Sequence, residues 1–422
     1  MTGMLLALNA RTFASLRRHR NYRLFFTGQV VSLSGTWMQN VALAWLVVQL
    51  THSPVALGVL AFLRFFPFTL FSLPSGVLAD RLDNRHVIML TQAASMVISA
   101  VLAVLTLSGA AQLWEVYVLA LLGGTAMVFD APNRHALTFQ MVGRDELPNA
   151  VALNASLFNS ARVIGPAIGG VVIGIAGVGV CFALNAASFL AVLAALAMMR
   201  KAELFPLDRK GMPPVLSGMR QGLSYVWRTP QIRLILLMTT AISTVGFNFH
   251  VLIPVLASKT LHAGPEVFGA LGAAFGAGAL VGALGSAALG RASWKALLVG
   301  SAGFSIALLA LAPAETEIGA ALLLFGTGIF FTTWSANSQS ILQLTAPDHL
   351  RGRVLSLYLF AFGGFAPVGG LLAGWLSEVG GTELAFLVAG ITGLAMTAYG
   401  TLTRTGRTER VVPDELEERL AA

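Results

Sequence analysis

Long apolar stretches, each closed by charges or by Gly/Pro clusters, follow one another along almost the whole chain. They lie near 22–50, 55–78, 87–108, 113–140, 149–177 and 180–199, then near 231–258, 265–290, 295–312, 317–343, 353–378 and 383–402. A helix needs ~20 apolar residues to cross the hydrocarbon core of a bilayer. The pattern therefore predicts an all-α membrane protein of twelve transmembrane helices, in two sets of six. The one long connection runs from Arg200 to Pro230 and contains Pro206, Gly211, Pro213 and Pro214. It divides the chain into an N-terminal segment (1–21), a first six-helix bundle (22–199), a linker (200–230), a second bundle (231–402) and a tail (403–422). Within the linker, Leu216, Met219, Leu223, Val226 and Trp227 recur at helical spacing opposite Arg220 and Arg228. That spacing reads as a helix lying in the membrane interface, or else as a partly ordered linker.

Basic residues orient this array. Loops on one side hold Lys259 and little else that is basic, whereas the other side holds Arg81, Arg85, Arg144, Arg200, Lys201, Arg291, Lys295, Arg351 and the basic residues of both tails. Because cytoplasmic loops retain Lys and Arg, both termini are expected in the cytoplasm. Composition agrees: 56% of the 422 residues are hydrophobic and 11% charged, against about 25% charged in soluble domains. The net charge of +8 is dispersed among short loops, so no basic face for nucleic acid is expected. Cys181 is the single cysteine, which excludes an intrachain disulfide or a cysteine-cluster metal site. The apolar run Met4 to Leu8 is short for a signal peptide, so the first span is read as retained.

The two halves look related. PNRHALTFQMVGRDELPNAV from Pro132 lies over ANSQSILQLTAPDHLRGRVL from Ala336, pairing Asn133 with Asn337 and Gly165 with Gly369, each 204 positions apart. Such an offset is the mark of a duplicated half, as in carriers built from parallel repeats.

The loop after the second span reads Gly76-Val77-Leu78-Ala79-Asp80-Arg81-Leu82-Asp83-Asn84-Arg85-His86. It resembles the G-x-L-x-D-R-x-G-R-[KR] signature of the major facilitator superfamily, departing from it at Asp83 and Asn84. Gly76 would allow close helix contact. Asp80, at a helix end, would face the positive N-terminus of a neighbouring helix, and the resemblance implies that this neighbour starts near Gly352. Arg81 and Arg85 are left to carry any charge relay. A remnant from Gly282 to Arg291 has Ser286 in place of the acid. In the fifth span, Gly165, Pro166, Gly169 and Gly170 resemble the G-P-x-x-G-G motif of the antiporter branch, although small residues at this spacing also serve plain helix packing. Together with Asn21 to Phe26 and Gly35 to Gln39, these motifs make the chain similar, over roughly 15–403, to the enterobactin-exporter-like group of drug:proton antiporters. The resemblance implies two pseudo-symmetric bundles, with the first, fourth, seventh and tenth spans lining a central substrate cavity.

Charged groups inside the hydrocarbon are costly and are functional candidates by default. Asp130 is the one acid well inside a span, with Arg134 one helical turn on. Asp130 reads either as a proton-coupling carboxylate or as half of a fixed ion pair with Arg134, Arg81 or Arg85, which would act as a conformational latch. Arg64 and Arg162, near mid-span, suit a cavity for anionic or zwitterionic substrates, or else bond to helix carbonyls. Gln29, Thr36, Gln39 and Asn40 on the first span, Asn248 on the seventh, and Trp334 and Asn337 on the tenth are further cavity candidates. Trp334, with Trp37 and Trp45, would stack a bulky substrate or anchor at the interface.

No G-x-x-x-x-G-K-[ST] sequence, HExxH or other metal-ligand spacing occurs. The expectation is therefore a non-enzyme with no cofactor and no metal: a monomeric secondary transporter of the plasma membrane, and of the bacterial inner membrane in particular. Its partners would be a small-molecule substrate such as a drug or siderophore, protons, and membrane lipid. A lysophospholipid or other lipid carrier, an uncoupled facilitator, and a non-transporting receptor or scaffold are the competing readings.

Overall fold

The computed structural model describes residues 12–206, 215–290 and 292–403, without the side chains at 73, 77, 80, 215–220, 348 and 349. Among these residues the chain is helical throughout. A short α1 (Ala14–Arg18) leads into α2 (Arg20–Thr51), α3 (Pro54–Arg81), α4 (Asn84–Leu107), the long α5 (Leu113–Ala176) and α6 (Val178–Ala197). The linker carries α7 (Val215–Arg228). Then follow α8 (Pro230–Gly246), α9 (Phe249–Val255) with a π-helical turn at Leu256–Thr260, α10 (Pro265–Leu289), α11 (Trp294–Leu311), α12 (Glu317–Thr345), α13 (Asp348–Gly363) and α14 (Ala366–Thr403).

Ten helical stretches are long and apolar enough to cross a membrane. Large apolar side chains such as Leu90, Ile175, Ile318 and Leu402 lie exposed on their outer faces, the reverse of a water-soluble surface. The protein is thus a multi-pass membrane protein. Two of the ten stretches contain a glycine at positive φ within a helix. α5 contains Gly143 at φ 70°, ψ −174°, and α14 contains Gly381 at φ 68°, ψ −177°. Only glycine occupies that region readily, so the chain changes direction at both points.

The described residues form two compact units. The first holds the chain up to Thr51 and from Phe66 to 206; the second holds His52–Phe65 and everything from Val215 onward. The second unit includes residues 52–65, which lie between two parts of the first unit in the sequence. That segment packs against α14, where a Cβ on Gly58 would meet the Gly370 carbonyl at 2.7 Å and one on Gly374 would meet the Pro54 carbonyl at 2.7 Å. Ser53 Oγ also donates to Glu378 Oε2 at 3.1 Å. Backbone contact through glycine, invisible to hydropathy, moves half a span from one unit to the other.

The first unit is centred on Tyr22, Phe25, Ile88, Leu137, Met141 and Phe189, all buried. The second is centred on aromatic rings. Phe247 stacks on Phe331 at 4.4 Å, Phe249 lies 4.3 Å from Phe275, and Phe304 stacks on Trp334 at 6.3 Å. Offset and edge contacts of this kind contribute about 0.5–1.5 kcal/mol each beyond burial.

The offset of 204 recurs in three dimensions. A Cβ on Gly165 would collide with Trp37 of α2, and one on Gly369 with the Thr244 carbonyl of α8, so each glycine seats its helix on the opening long helix of its own unit. Gly177 (φ 83°) and Gly381 (φ 68°), also 204 apart, make the same positive-φ corner. At the position equivalent to Gly143 stands Pro347, which breaks the chain between α12 and α13 by a different chemistry.

The tightest crossing joins α10 and α12, where a Cβ on Gly278 would overlap the Phe325 carbonyl. Gly278→Ala should force the two helices apart at a cost of about 1–3 kcal/mol, read as a fall of several degrees in unfolding temperature in detergent. Gly123→Ala, where a Cβ would meet nothing within 4 Å, should leave that temperature unchanged or slightly higher.

Candidate transport site

A polar cluster lies buried in the first unit at the meeting of α2, α4 and α5. Asp130, 7% exposed, is the one carboxylate among the described buried residues. Its Oδ2 accepts from Arg134 Nε at 2.8 Å and from the Arg134 terminal amine in an ion pair. Its Oδ1 accepts from Gln92 Nε2 at 2.9 Å and lies 2.9 Å from the Thr91 hydroxyl, which shares its hydrogen with the Ile88 carbonyl at 3.0 Å. Arg134 also donates to Gln29 Oε1, and its guanidinium lies 5.9 Å from the centre of the Phe25 ring. Helical spacing of four residues sets the Asp130–Arg134 pair, and the flanking helices complete it. Both carboxylate oxygens are engaged. The Gln29 amide nitrogen and the Gln92 amide oxygen, both buried, have no partner.

Of the pairings expected for Asp130, the structure contains the one with Arg134. Arg85 is used elsewhere: its Nε donates to the Leu196 carbonyl at 2.7 Å and its NH2 to Ala197 at 3.2 Å, closing the C-terminus of α6, where a cation also meets the negative helix end. Arg81 is exposed, and the Asp80 side chain lies outside the described residues. At Gly76 a Cβ would meet nothing within 4 Å among the described residues.

The departure at Asp83 has a local cause. Asp83 is the N-cap of α4, accepting from the backbone of Arg85 at 3.0 Å and of His86 at 3.3 Å, with the His86 ring at 2.7 Å. Partial burial would raise the Asp83 carboxyl, but the hydrogen bonds and charge of His86 outweigh it and hold the group below the ordinary aspartate range.

Gly165 and Gly169 of the antiporter-type motif press on Trp37 and Met38 of α2, and Pro166 and Gly170 are buried beside them. The motif therefore forms a helix crossing. Arg162, on the same helix, lies 5.9 Å from the centre of the Trp37 ring, which meets Phe158 edge-on at 5.5 Å.

Several cavity candidates turn inward instead. Gln39 Oε1 accepts from Ser99 at 2.6 Å and from Asn185 at 2.7 Å, binding α2 to α4 and α6. Thr36 bonds to the Ser32 carbonyl of its own helix at 2.9 Å. Trp334 is wholly buried in the aromatic core, against Phe304 and Phe331. Asn337 accepts from the Ser293 amide at 3.1 Å and donates to the Thr333 carbonyl at 2.8 Å, tying α12 to the start of α11. Asn248 donates to the Thr244 carbonyl at 2.7 Å across the break between α8 and α9. Asn40 and Arg64 are half-buried.

Sequence reasoning missed Thr91 and Gln92. Their signal was two adjacent polar residues, one helical turn before Ser95, within the third span. Asn21, which opens the Asn21 to Phe26 motif, bonds reciprocally through its amide with the Arg200 backbone at 2.9 and 3.0 Å.

A family model described as transmembrane secretion effector matches residues 10–418. The staphyloferrin A transporter of Staphylococcus aureus is 27% identical over 381 residues, covering 89% of this chain and 94% of that protein. The multidrug efflux pump Tap of Mycolicibacterium fortuitum is 28% identical over 365 residues, covering 84% and 88%. Among solved structures, a bacterial homologue of the lysosomal transporter Spinster, inward-facing and occupied, superposes with a TM-score of 0.75 at 14% identity, covering 94% and 99%. The nucleoside transporter NupG superposes at 0.71 with 11% identity, covering 91% and 98%.

Arg134→Ala should leave a buried carboxylate without its charge partner and cost about 3–5 kcal/mol, whereas adding Asp130→Asn should recover most of that loss. Unfolding of the four species in a double-mutant cycle reads the coupling. Separately, Asp83→Ala should lose ~1 kcal/mol of capping. Since the folded carboxyl titrates below the unfolded one, the wild-type advantage is full above about pH 4 and should vanish as pH falls through the lower folded value.

Proposed function

The chain belongs to the transmembrane secretion effector family of the major facilitator superfamily, and from that premise we propose a proton-coupled secondary exporter of small amphiphilic or anionic molecules, working by alternating access. That it is a transporter of the efflux type, and not an enzyme, follows from the family. The substrate range and the coupling ion are the proposal. Cutting α5 at Gly143 and α14 at Gly380–Gly381 turns ten apolar stretches into twelve spans. An even count fits both termini in the cytoplasm, with the basic loops on the inner side of a bacterial plasma membrane. Relatives named for a siderophore and for multiple drugs support a ligand of that size, drawn from the cytoplasm or the inner leaflet.

The observation that carries the coupling is the buried Asp130–Arg134 pair with its shell of Gln29, Thr91 and Gln92. Spans meet there that belong to three different helices. A proton arriving on Asp130 removes the negative half of the pair and frees Arg134, so three helices lose a common tie in one chemical event. Proton entry thereby becomes a change in helix packing, which is what an alternating-access cycle requires. Asp80, Arg81 and Arg85 of the signature loop then act at the cytoplasmic end as the gating group, and Gly165 to Gly170 as the crossing about which the fifth span pivots.

Purified protein in liposomes, with internal pH followed as ethidium is added, should show proton movement that needs the dye and is lost in Asp130→Asn. Dye movement with no proton movement in the wild type would leave an uncoupled facilitator, with Asp130 purely structural. Absence of movement for both would favour a non-transporting role.

A further inference from the structure

His250 stands in the first turn of α9, directly after the backbone leaves helical geometry at Phe247 and Asn248. Its Nε2 is buried and has no hydrogen-bond partner. A buried donor or acceptor left unmatched costs about 1–3 kcal/mol, and inside a membrane, irregular backbone persists where protein or a wet cavity surrounds it. The imidazole packs edge-on against Phe65, ring centres 5.1 Å apart, and the Arg64 guanidinium lies 5.8 Å from the centre of the same Phe65 ring. Arg64 and His250 thus lie against the same Phe65 ring. All three residues belong to the second unit, in which every described carboxylate, from Glu266 to Glu383, is exposed.

We propose that Arg64 and His250 together recognise a carboxylate on the transported molecule, with the Phe65 ring as the apolar wall beside it. A guanidinium carries five N–H donors in a planar fork that matches a carboxylate. A neutral imidazole can place its proton on either nitrogen, and an anion drawn in by Arg64 selects the tautomer with the proton on Nε2, which supplies the missing partner. A cation would meet Arg64 unfavourably. Phe65 gives an organic carboxylate an apolar contact that inorganic anions cannot use. The inference deepens the exporter reading and rests on it: it assigns the chemical class of one group of ligands and the residues that hold it.

The test uses the full chain purified in detergent, with sodium benzoate and sodium citrate as probes and sodium phosphate and sodium chloride at matched ionic strength as controls. Benzoate or citrate should raise the unfolding temperature of the wild type above the chloride and phosphate controls. Arg64→Gln and His250→Phe should each weaken the apparent Kd at least tenfold, and His250→Asn, which keeps an N–H donor, should weaken it less than His250→Phe. Arg353→Gln, whose side chain bonds to Gln221 of α7, should bind as the wild type does. Carboxylates no better than chloride, a response to phosphate equal to that for carboxylates, or unchanged binding in Arg64→Gln and His250→Phe would each overturn the assignment. Size-exclusion profiles screen the variants for folding. If they fail to fold, protection of wild-type His250 from diethyl pyrocarbonate by benzoate, read by peptide mass spectrometry, decides: protection supports the site and none refutes it. Ethidium-driven proton flux that survives while carboxylate binding is absent would sink this inference alone and leave the exporter reading standing.

Discussion

In a solvent as apolar as their own side chains, helices gain little by hiding from it, so they hold together by approaching until backbones touch. This constraint organises both units. A Cβ on Gly28 of α2 would meet the Val192 backbone at 2.9 Å, one on Gly35 the Asn185 side chain at 2.5 Å, and one on Gly165 would collide with Trp37, all on one helix or against it. α2 is thereby held by α6 on one side and α5 on another, and Gln39, Ser99 and Asn185 lock the same junction by hydrogen bonds. In the second unit Gly278, Gly282 and Gly328 do the corresponding work between α10 and α12. Substituting any of these would act through helix separation, whatever the chemistry of the new side chain.

The two units solve the same packing problem with different interiors. Positions 204 apart place Asp130 opposite Trp334 and Arg134 opposite Ser338. Where the first unit buries an ion pair tied to three helices, the second buries an indole among phenylalanine rings. An apolar core of that sort has one arrangement that fills space, whereas a charge pair can be made or broken by a proton. The two units therefore differ at these positions: a buried ion pair in one and packed aromatic rings in the other. The loss of the acid at Ser286 in the second copy of the loop points the same way.

Most of the architecture was legible in the sequence because hydropathy measures what the bilayer itself selects. Span boundaries agree to within a few residues, as for Arg20–Thr51 against 22–50 and Pro265–Leu289 against 265–290. Three things were not legible. The allegiance of 52–65 depends on which helix its glycine touches, and the break at Phe247–Asn248 occurs with no proline or glycine after Gly246 to announce it. Side-chain direction was the third: Trp334, Asn337 and Gln39 lie on cavity-type spans but point into their own unit, because polar periodicity is the same for glue as for a lining. The Asp130–Arg134 pair was legible, being local; Thr91 and Gln92, which complete it, come from a helix about forty residues earlier.

Asp130 and Arg134 cancel each other's charge, so an electric field across the bilayer does no net work on the closed pair as it moves. In the proposed cycle, a proton on Asp130 would leave Arg134 with one uncompensated positive charge, on which a potential of 100 mV exerts about 2.3 kcal/mol over a full crossing. A potential negative inside would then pull on the protonated carrier and be indifferent to the unprotonated one. Exchange driven by voltage and exchange driven by acidity would thus enter the cycle through the same pair of residues, and the step that returns the protonated form would be the one that a membrane potential accelerates.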